Sequence, residues 1–337
     1  IKVNRFGNTT MAEFREAMAS MPKIESLILD LRGNGGGLLN QAIDMAGYFL
    51  PAESLVVYIE GRAVEPEYFS SQRGGEFDGR VVVLIDEASA SASEIVSGAI
   101  QDWDRGIVVG RESFGKGLVQ RQIPLGDGSA VRITVARYHT PSGRVIQRPY
   151  KQGDKDAYYK DYVARLRGEQ ADSTAMERPA YKTLRNGRTV YGGGGISPDI
   201  IIENDTTQVS NYMVKLIASG AYNDFLLDYL DKNRNRIQSR YPTFEDFNAG
   251  FGLSDKDMSQ LVEIAEKRGV TFDEEGFATS NEIMREQLSA MVAQRLYGTS
   301  AFYRWINPRV NEFYNRALSI VKNWEEQGAP LLTDTTN

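Results

Sequence analysis

From residue 1 to about residue 150 the chain alternates short apolar runs with stretches whose apolar residues recur every three or four positions, and this alternation constrains the fold most. The runs IKVNRF, LILDL, SLVVYI, VVVLID, GIVVG, LVQRQI and AVRITVARY read as strands, and 10–21, 38–50 and the stretch from Ser91 read as helices. Such a succession predicts a layered α/β domain. Residues 151–180 are polar and predict a surface excursion, after which RTVYGGGGISPDIII returns to a strand-like run. From about Asp205 the period becomes helical, over 209–219, 223–237, 255–267, 280–296 and 300–324, with apolar stripes that read as packing between helices. The expected division is an α/β domain over 1–204 and an all-helical accessory domain over 205–337.

With 337 residues, 41% of them hydrophobic, the chain can bury a sizeable core in more than one unit. A net charge of −6 argues against nucleic acid as the main partner, because phosphates call for a basic face. No apolar stretch approaches the roughly 20 residues that span a bilayer. The sequence starts at Ile1 with no signal-like segment, so an upstream segment is expected to have been removed or omitted. The absence of cysteine rules out disulfides, thiolate metal sites and a cysteine nucleophile. The single histidine, His139, would have to serve any Ser-His-Asp arrangement, and it lies where a strand meets a Pro-Ser-Gly turn.

Three segments carry chemistry-bearing residues. DLRGNGGG, residues 30–37, follows an apolar strand and precedes a helix, where glycines let backbone N–H groups face a ligand or a developing oxyanion. A tight turn needing positive φ explains the same glycines. SASASEI places Ser91 at the start of a helix, the positive end of its dipole; Ser91 and Glu94 equally fit an S-x-x-E capping box. GRESFGKGLVQRQI carries Lys116 and Gln120, four residues apart on a strand-like run, a spacing that puts both on one face. The stretch 110–117 nearly matches a phosphate loop, but Gly117 replaces its Ser/Thr and a strand pattern comes next.

Together, in order and with a 25-residue interval from Ser91 to Lys116, these segments resemble the carboxyl-terminal processing, or tail-specific, proteases of peptidase family S41. DLRGNGGG is similar to the family's DLRxNxGG, SASASEI to its nucleophile motif and FGKGLVQ to its FGKGxVQ. The likeness continues over TPSGRVIQ and GGGGISPDI, covering about the first 200 residues. The resemblance implies a Clp-protease/crotonase-like α/β fold, with Ser91 as nucleophile, Lys116 as general base and Gln120 orienting the lysine. Gly36 or Gly37 with the N–H of Ala92 would form the oxyanion hole, while Glu94 and Asp102 would support the site structurally. No cofactor or metal is implied. The family usually carries a PDZ domain ahead of the strand that IKVNRF resembles, and none is found in this sequence.

By the same resemblance the substrates would be proteins with exposed nonpolar carboxyl-terminal tails, the setting a bacterial periplasm or cell envelope, and the helical domain a possible route to a homo-oligomer. A free lysine titrates near ~10.4, so a base at position 116 is expected to be desolvated. Two other readings share parts of the pattern: a crotonase-like acyl-CoA enzyme, and a catalytically idle scaffold that binds a partner.

Overall fold

The run RVVVLI becomes the inner strand of a parallel sheet, as a segment apolar on both faces must. A computed structural model describes residues 1–21, 23–149, 156, 160, 162–164, 178–203 and 207–333. The sheet runs β1 (Ser26–Asp30), β4 (Arg80–Ile85), β5 (Ile107–Gly110), β10 (Ile200–Ile201). Register pairs Leu27 with Val81 on one side of β4 and Val83 with Val108 on the other. A second, antiparallel sheet runs β3 (Val64–Ser70), β2 (Leu55–Gly61), β7 (Ala130–His139), β6 (Leu118–Pro124), and β8 (Ala180–Lys182) pairs with β9 (Thr189–Tyr191).

Helix α1 (Thr10–Ala19) lies against α2 (Leu39–Phe49), and α2 and α3 (Ala92–Asp102) pack on each other and on β2. The core joins Leu29, Val81 and Val83 of the first sheet and Val56 and Val57 of the second to Ala46, Phe49, Val96 and Ile100 of the helices. Each large side chain so removed from water contributes on the order of 1.5–3 kcal/mol. This layered α/β architecture holds the junction where β4 feeds α3.

Some expectations need correction. IKVNRF forms only two isolated bridges, Lys2 to Asp30 and Phe6 to Gly37, rather than a strand. Strand β3 has no counterpart in the expected set: it is polar and carries Pro66, a pattern suited to a sheet edge. The excursion expected over 151–180 lies mostly outside the described residues.

The chain forms two compact units, Ile1–Glu203 with Arg316–Asn337, and Asn204–Asn315. The second is helical, with Tyr212, Phe225, Leu261, Leu288 and Trp305 in its core. The helix expected over 300–324 is two helices, Thr299–Val310 and Glu312–Lys322, with Pro308 inside the first. Proline lacks the N–H and crowds the preceding turn, which favours a break close by. Residues from Arg316 onward group with the first unit rather than the second. There Arg80 pairs with Glu325 at 3.2 Å and its guanidinium carbon lies 5.9 Å from the centre of the Trp324 ring.

Candidate active site

Strand β4 ends at Ile85, a turn of small residues comes next, and α3 begins at Ala92, leaving Ser91 at the corner. Ser91 has φ 57° and ψ −110°. A helix N-cap takes extended backbone angles, whereas these are sparsely populated for any residue with a Cβ and cost roughly 1–3 kcal/mol. One half of a capping box is present, the Glu94 carboxylate accepting from the Ser91 N–H. Its tight bonds belong to the main chain, however: the Ser91 N–H donates to Glu94 Oε2 at 2.7 Å, and the Glu94 N–H donates to the Ser91 carbonyl at 2.9 Å. No cap hydrogen bond holds the Ser91 hydroxyl.

The glycine loop presses against this corner. A Cβ on Gly36 would lie 2.7 Å from the Ala90 carbonyl, 2.8 Å from Ser91 Cβ and 2.9 Å from the Ala92 nitrogen, and one on Gly37 would meet the Phe6 carbonyl at 2.1 Å. Both glycines also have positive φ, 96° and 149°. Close approach and backbone angle thus each require glycine here. The Gly36 N–H is already spent on Asn34 Oδ1 at 2.9 Å. Among the described residues the N–H groups of Gly37 and Ala92 have no acceptor. Of the two glycines weighed for an oxyanion hole, Gly37 therefore has the free donor, and the Ala92 N–H lies at the positive end of α3.

Glu94 is wholly buried and ties this corner to the lysine loop. Its Oε1 accepts from Ser113 Oγ and the Gly115 N–H, each at 2.6 Å; its Oε2 accepts from the Ser91 N–H and, at 2.9 Å, from the Lys116 N–H. Burial pushes this carboxyl above its usual range, and the four donors pull it back. The carboxylate thus reaches the Lys116 main chain. Around the same loop, Ser113 accepts from the Ile196 N–H at 2.7 Å and Gln147 accepts from the Gly117 N–H at 3.0 Å, so all five resembling segments converge.

The pattern described as "Peptidase family S41" matches residues 1–156. Over residues 1–156 the chain is similar to peptidase family S41. Residues 212–298 match a "Family of unknown function (DUF8443)". The carboxyl-terminal-processing protease of Synechocystis sp. is 39% identical over 150 residues, which are 44% of this chain and 35% of that protein. The carboxy-terminal-processing protease of Bartonella bacilliformis is 43% identical over 139 residues, 40% of this chain and 32% of that protein. The chain spans about a third of the length of these relatives. Among solved structures, a photosystem II D1 C-terminal processing protease is 27% identical, covers 61% of this chain and 42% of its own, and superposes with a TM-score of 0.45.

Within the first unit, the structure brings together Ser91, Ala92, Gly36, Gly37 and Glu94, and leaves the lysine side chain apart. Lys116 is exposed. Among the described residues no hydrogen bond joins its ammonium to Ser91 Oγ. Its main-chain nitrogen is anchored, and among the described residues its ammonium has no acceptor. Gln120 is also exposed, and no hydrogen bond joins it to Lys116. The even-spacing reading fails because Lys116 precedes β6, and the β6–β7 register shifts between Val119 and Gln120, where Ala136 and Thr134 are the partners.

Asp102 lies ten residues further along α3, about 15 Å from Ala92 by helix rise, where it pairs with buried Arg144 at 2.5 Å and accepts from the Ser142 N–H at 2.9 Å. His139 stacks on Tyr58 with ring centres 4.6 Å apart and sits 3.2 Å from the Gly143 carbonyl, so it is engaged away from Ser91. Gly117 leads directly into strand β6, without the helix a phosphate loop needs.

Two groups escaped the sequence reading although they sit inside DLRGNGGG. Buried Asn34 donates to the Val3 carbonyl at 2.8 Å while its Oδ1 fixes Gly36. Asp30 accepts from Arg32 Nε at 2.9 Å and Nη2 at 2.7 Å. Burial alone would raise the Asp30 carboxyl, but the hydrogen bonds and charge of Arg32, with Lys2, hold it below its usual range. The missed signal was in the polar letters of a motif read for its glycines.

Proposed function

We propose that this chain is the catalytic part of a serine endopeptidase acting near exposed nonpolar carboxyl-terminal tails of proteins. One observation carries the reading: a serine in a strained corner at a helix N-terminus, beside two main-chain N–H groups without acceptors. Lys116, the base by resemblance, takes the hydroxyl proton of Ser91, and the resulting alkoxide attacks the scissile carbonyl. The negative oxygen is received by the N–H groups of Gly37 and Ala92. Collapse expels the amine, which takes the proton back from Lys116, and water then hydrolyses the ester on Ser91.

Because Lys116 is exposed in the free chain, bound substrate supplies its desolvation in this scheme, and Gln120 orients it only in that state. The helical unit serves as an accessory domain and a possible oligomer contact; a periplasmic or envelope setting is inferred from the resemblance. Among the described residues no helix is long and apolar enough to cross a membrane.

The test is hydrolysis of an unfolded protein with a nonpolar tail, run beside turnover of a CoA thioester. Ser91→Ala should lower peptide hydrolysis at least ~10⁴-fold without unfolding the chain. Thioester turnover without peptide hydrolysis would instead assign an acyl-CoA enzyme. The exposure of Lys116 favours one second reading, an idle scaffold, and wild-type chain inert on every peptide would establish it.

A further inference from the structure

Away from Ser91, a cleft of about 440 Å³ opens in the first unit where the turn before β4 meets residues 324–332. Its walls include Phe49, Phe77, Trp324 and Leu332, and its polar lining includes Arg105 and Arg185. Arg105 donates from Nε to the Phe49 carbonyl at 2.9 Å and from Nη2 to the carbonyls of Phe77 and Gly79 at 2.7 and 2.8 Å. Those bonds leave Nη1 without an acceptor among the described residues, and Arg105 has no carboxylate partner there. Arg185 is exposed, with its guanidinium carbon 5.7 Å from the centre of the Trp103 ring, and it too has no ion pair among the described residues.

The nearby carboxylates are mostly committed. Asp104 spends Oδ1 on Arg188 Nε at 2.6 Å and Oδ2 on the N–H groups of Arg185 and Asn186. Glu325 is paired with Arg80. Exposed Asp78 is the one other acidic residue lining the cleft. Burial, and then the charge of Arg185, pull the Arg105 guanidinium down from its ordinary value, and the charge of exposed Asp78 offsets them only in part.

We infer that this cleft binds a carboxylate carried on an apolar stem, the anion held between Arg105 and Arg185 and the stem lying against Phe77 and Trp324. Guanidinium groups recognise a carboxylate through paired charge-assisted hydrogen bonds, and an aromatic wall selects an acid with an apolar body over a bare anion. The chemistry is shared by a fatty acid and by the free end of a peptide. The site is independent of the peptidase reading.

Isothermal titration of the full chain distinguishes the sources, using decanoate, a short peptide ending in leucine with a free carboxylate, the same peptide as its amide, and inorganic phosphate. The site predicts saturable binding of decanoate or the acid peptide, at least about tenfold weaker binding of the amide, and a further loss of about tenfold in Arg185→Gln. That variant should leave labelling of Ser91 by a serine-reactive probe unchanged. Preference for decanoate assigns a small acid, and preference for the acid peptide assigns a chain end. Equal binding of acid and amide, no saturable binding of either acid, phosphate binding as tightly as decanoate, or indifference to Arg185→Gln would each overturn the inference. Arg185 is chosen because Arg105 also ties three main-chain carbonyls.

Discussion

The corner at Ser91 and the loop at Lys116 are held by the same buried carboxylate, yet they are built to different degrees. At Ser91 the features that the proposed attack would use before any base acts lie in the backbone: its angles, the neighbouring N–H groups and the glycine approach. At Lys116 the main-chain nitrogen is fixed, and the proposed base is an exposed side chain with no hydrogen bond among the described residues. A backbone-built half is preorganised before substrate arrives, whereas a side-chain-built half needs substrate to complete it.

The largest effect on that comparison should come from Lys116→Ala. Turnover of a peptide substrate is expected to fall about 10³-fold, with a change in unfolding free energy below about 0.5 kcal/mol, as for any exposed side chain. Near-normal turnover would remove Lys116 from the chemistry. Second is Glu94→Ala, which leaves four donors from both halves without their acceptor and should destabilise the first unit by roughly 3–5 kcal/mol in urea unfolding. A loss under about 1 kcal/mol would show that the two halves are held by something other than this carboxylate.

A smaller effect is expected at Asp30, whose carboxyl is held below its usual range. A depressed carboxyl contributes stability above its unfolded value near ~3.9, and the contribution is lost as pH falls through the folded value. Asp30→Asn should therefore cost on the order of 1–3 kcal/mol at pH 7, and should flatten the fall in stability below about pH 4. An unchanged acid slope would count against the ion pair with Arg32. Smallest is Ser91→Gly, which should raise stability by about 1 kcal/mol by relieving the corner while abolishing activity. A destabilised Ser91→Gly chain would mean that the cap, not strain, describes this serine.

The same contrast explains what could be read in advance. Strand and helix alternation placed β4, α3 and β5, because apolar period reports burial directly. The serine corner was legible as an ordered set of motifs, although Ser91 and Glu94 taken alone read as a helix cap. Spacing could not reveal that Glu94 gathers donors from residues 91, 113, 115 and 116, because that convergence depends on how β5 returns beside α3. Nor could it place Lys116 and Gln120, since the strand begins after the lysine and shifts register just before the glutamine. The polar edge strand β3 and the return of residues 316–333 to the first unit carry no periodic signature of their own.

The central claim is that Ser91 sits in a corner already assembled by the backbone but acquires its nucleophilicity through Lys116. Its most direct test is the rate at which a fluorophosphonate labels Ser91, read by mass spectrometry of the intact chain and its peptides. Saturable labelling of Ser91 in the wild type, slowed about 10²-fold or more in Lys116→Ala, is the predicted result. Equal rates in the two chains, or modification of another serine in place of Ser91, would contradict it.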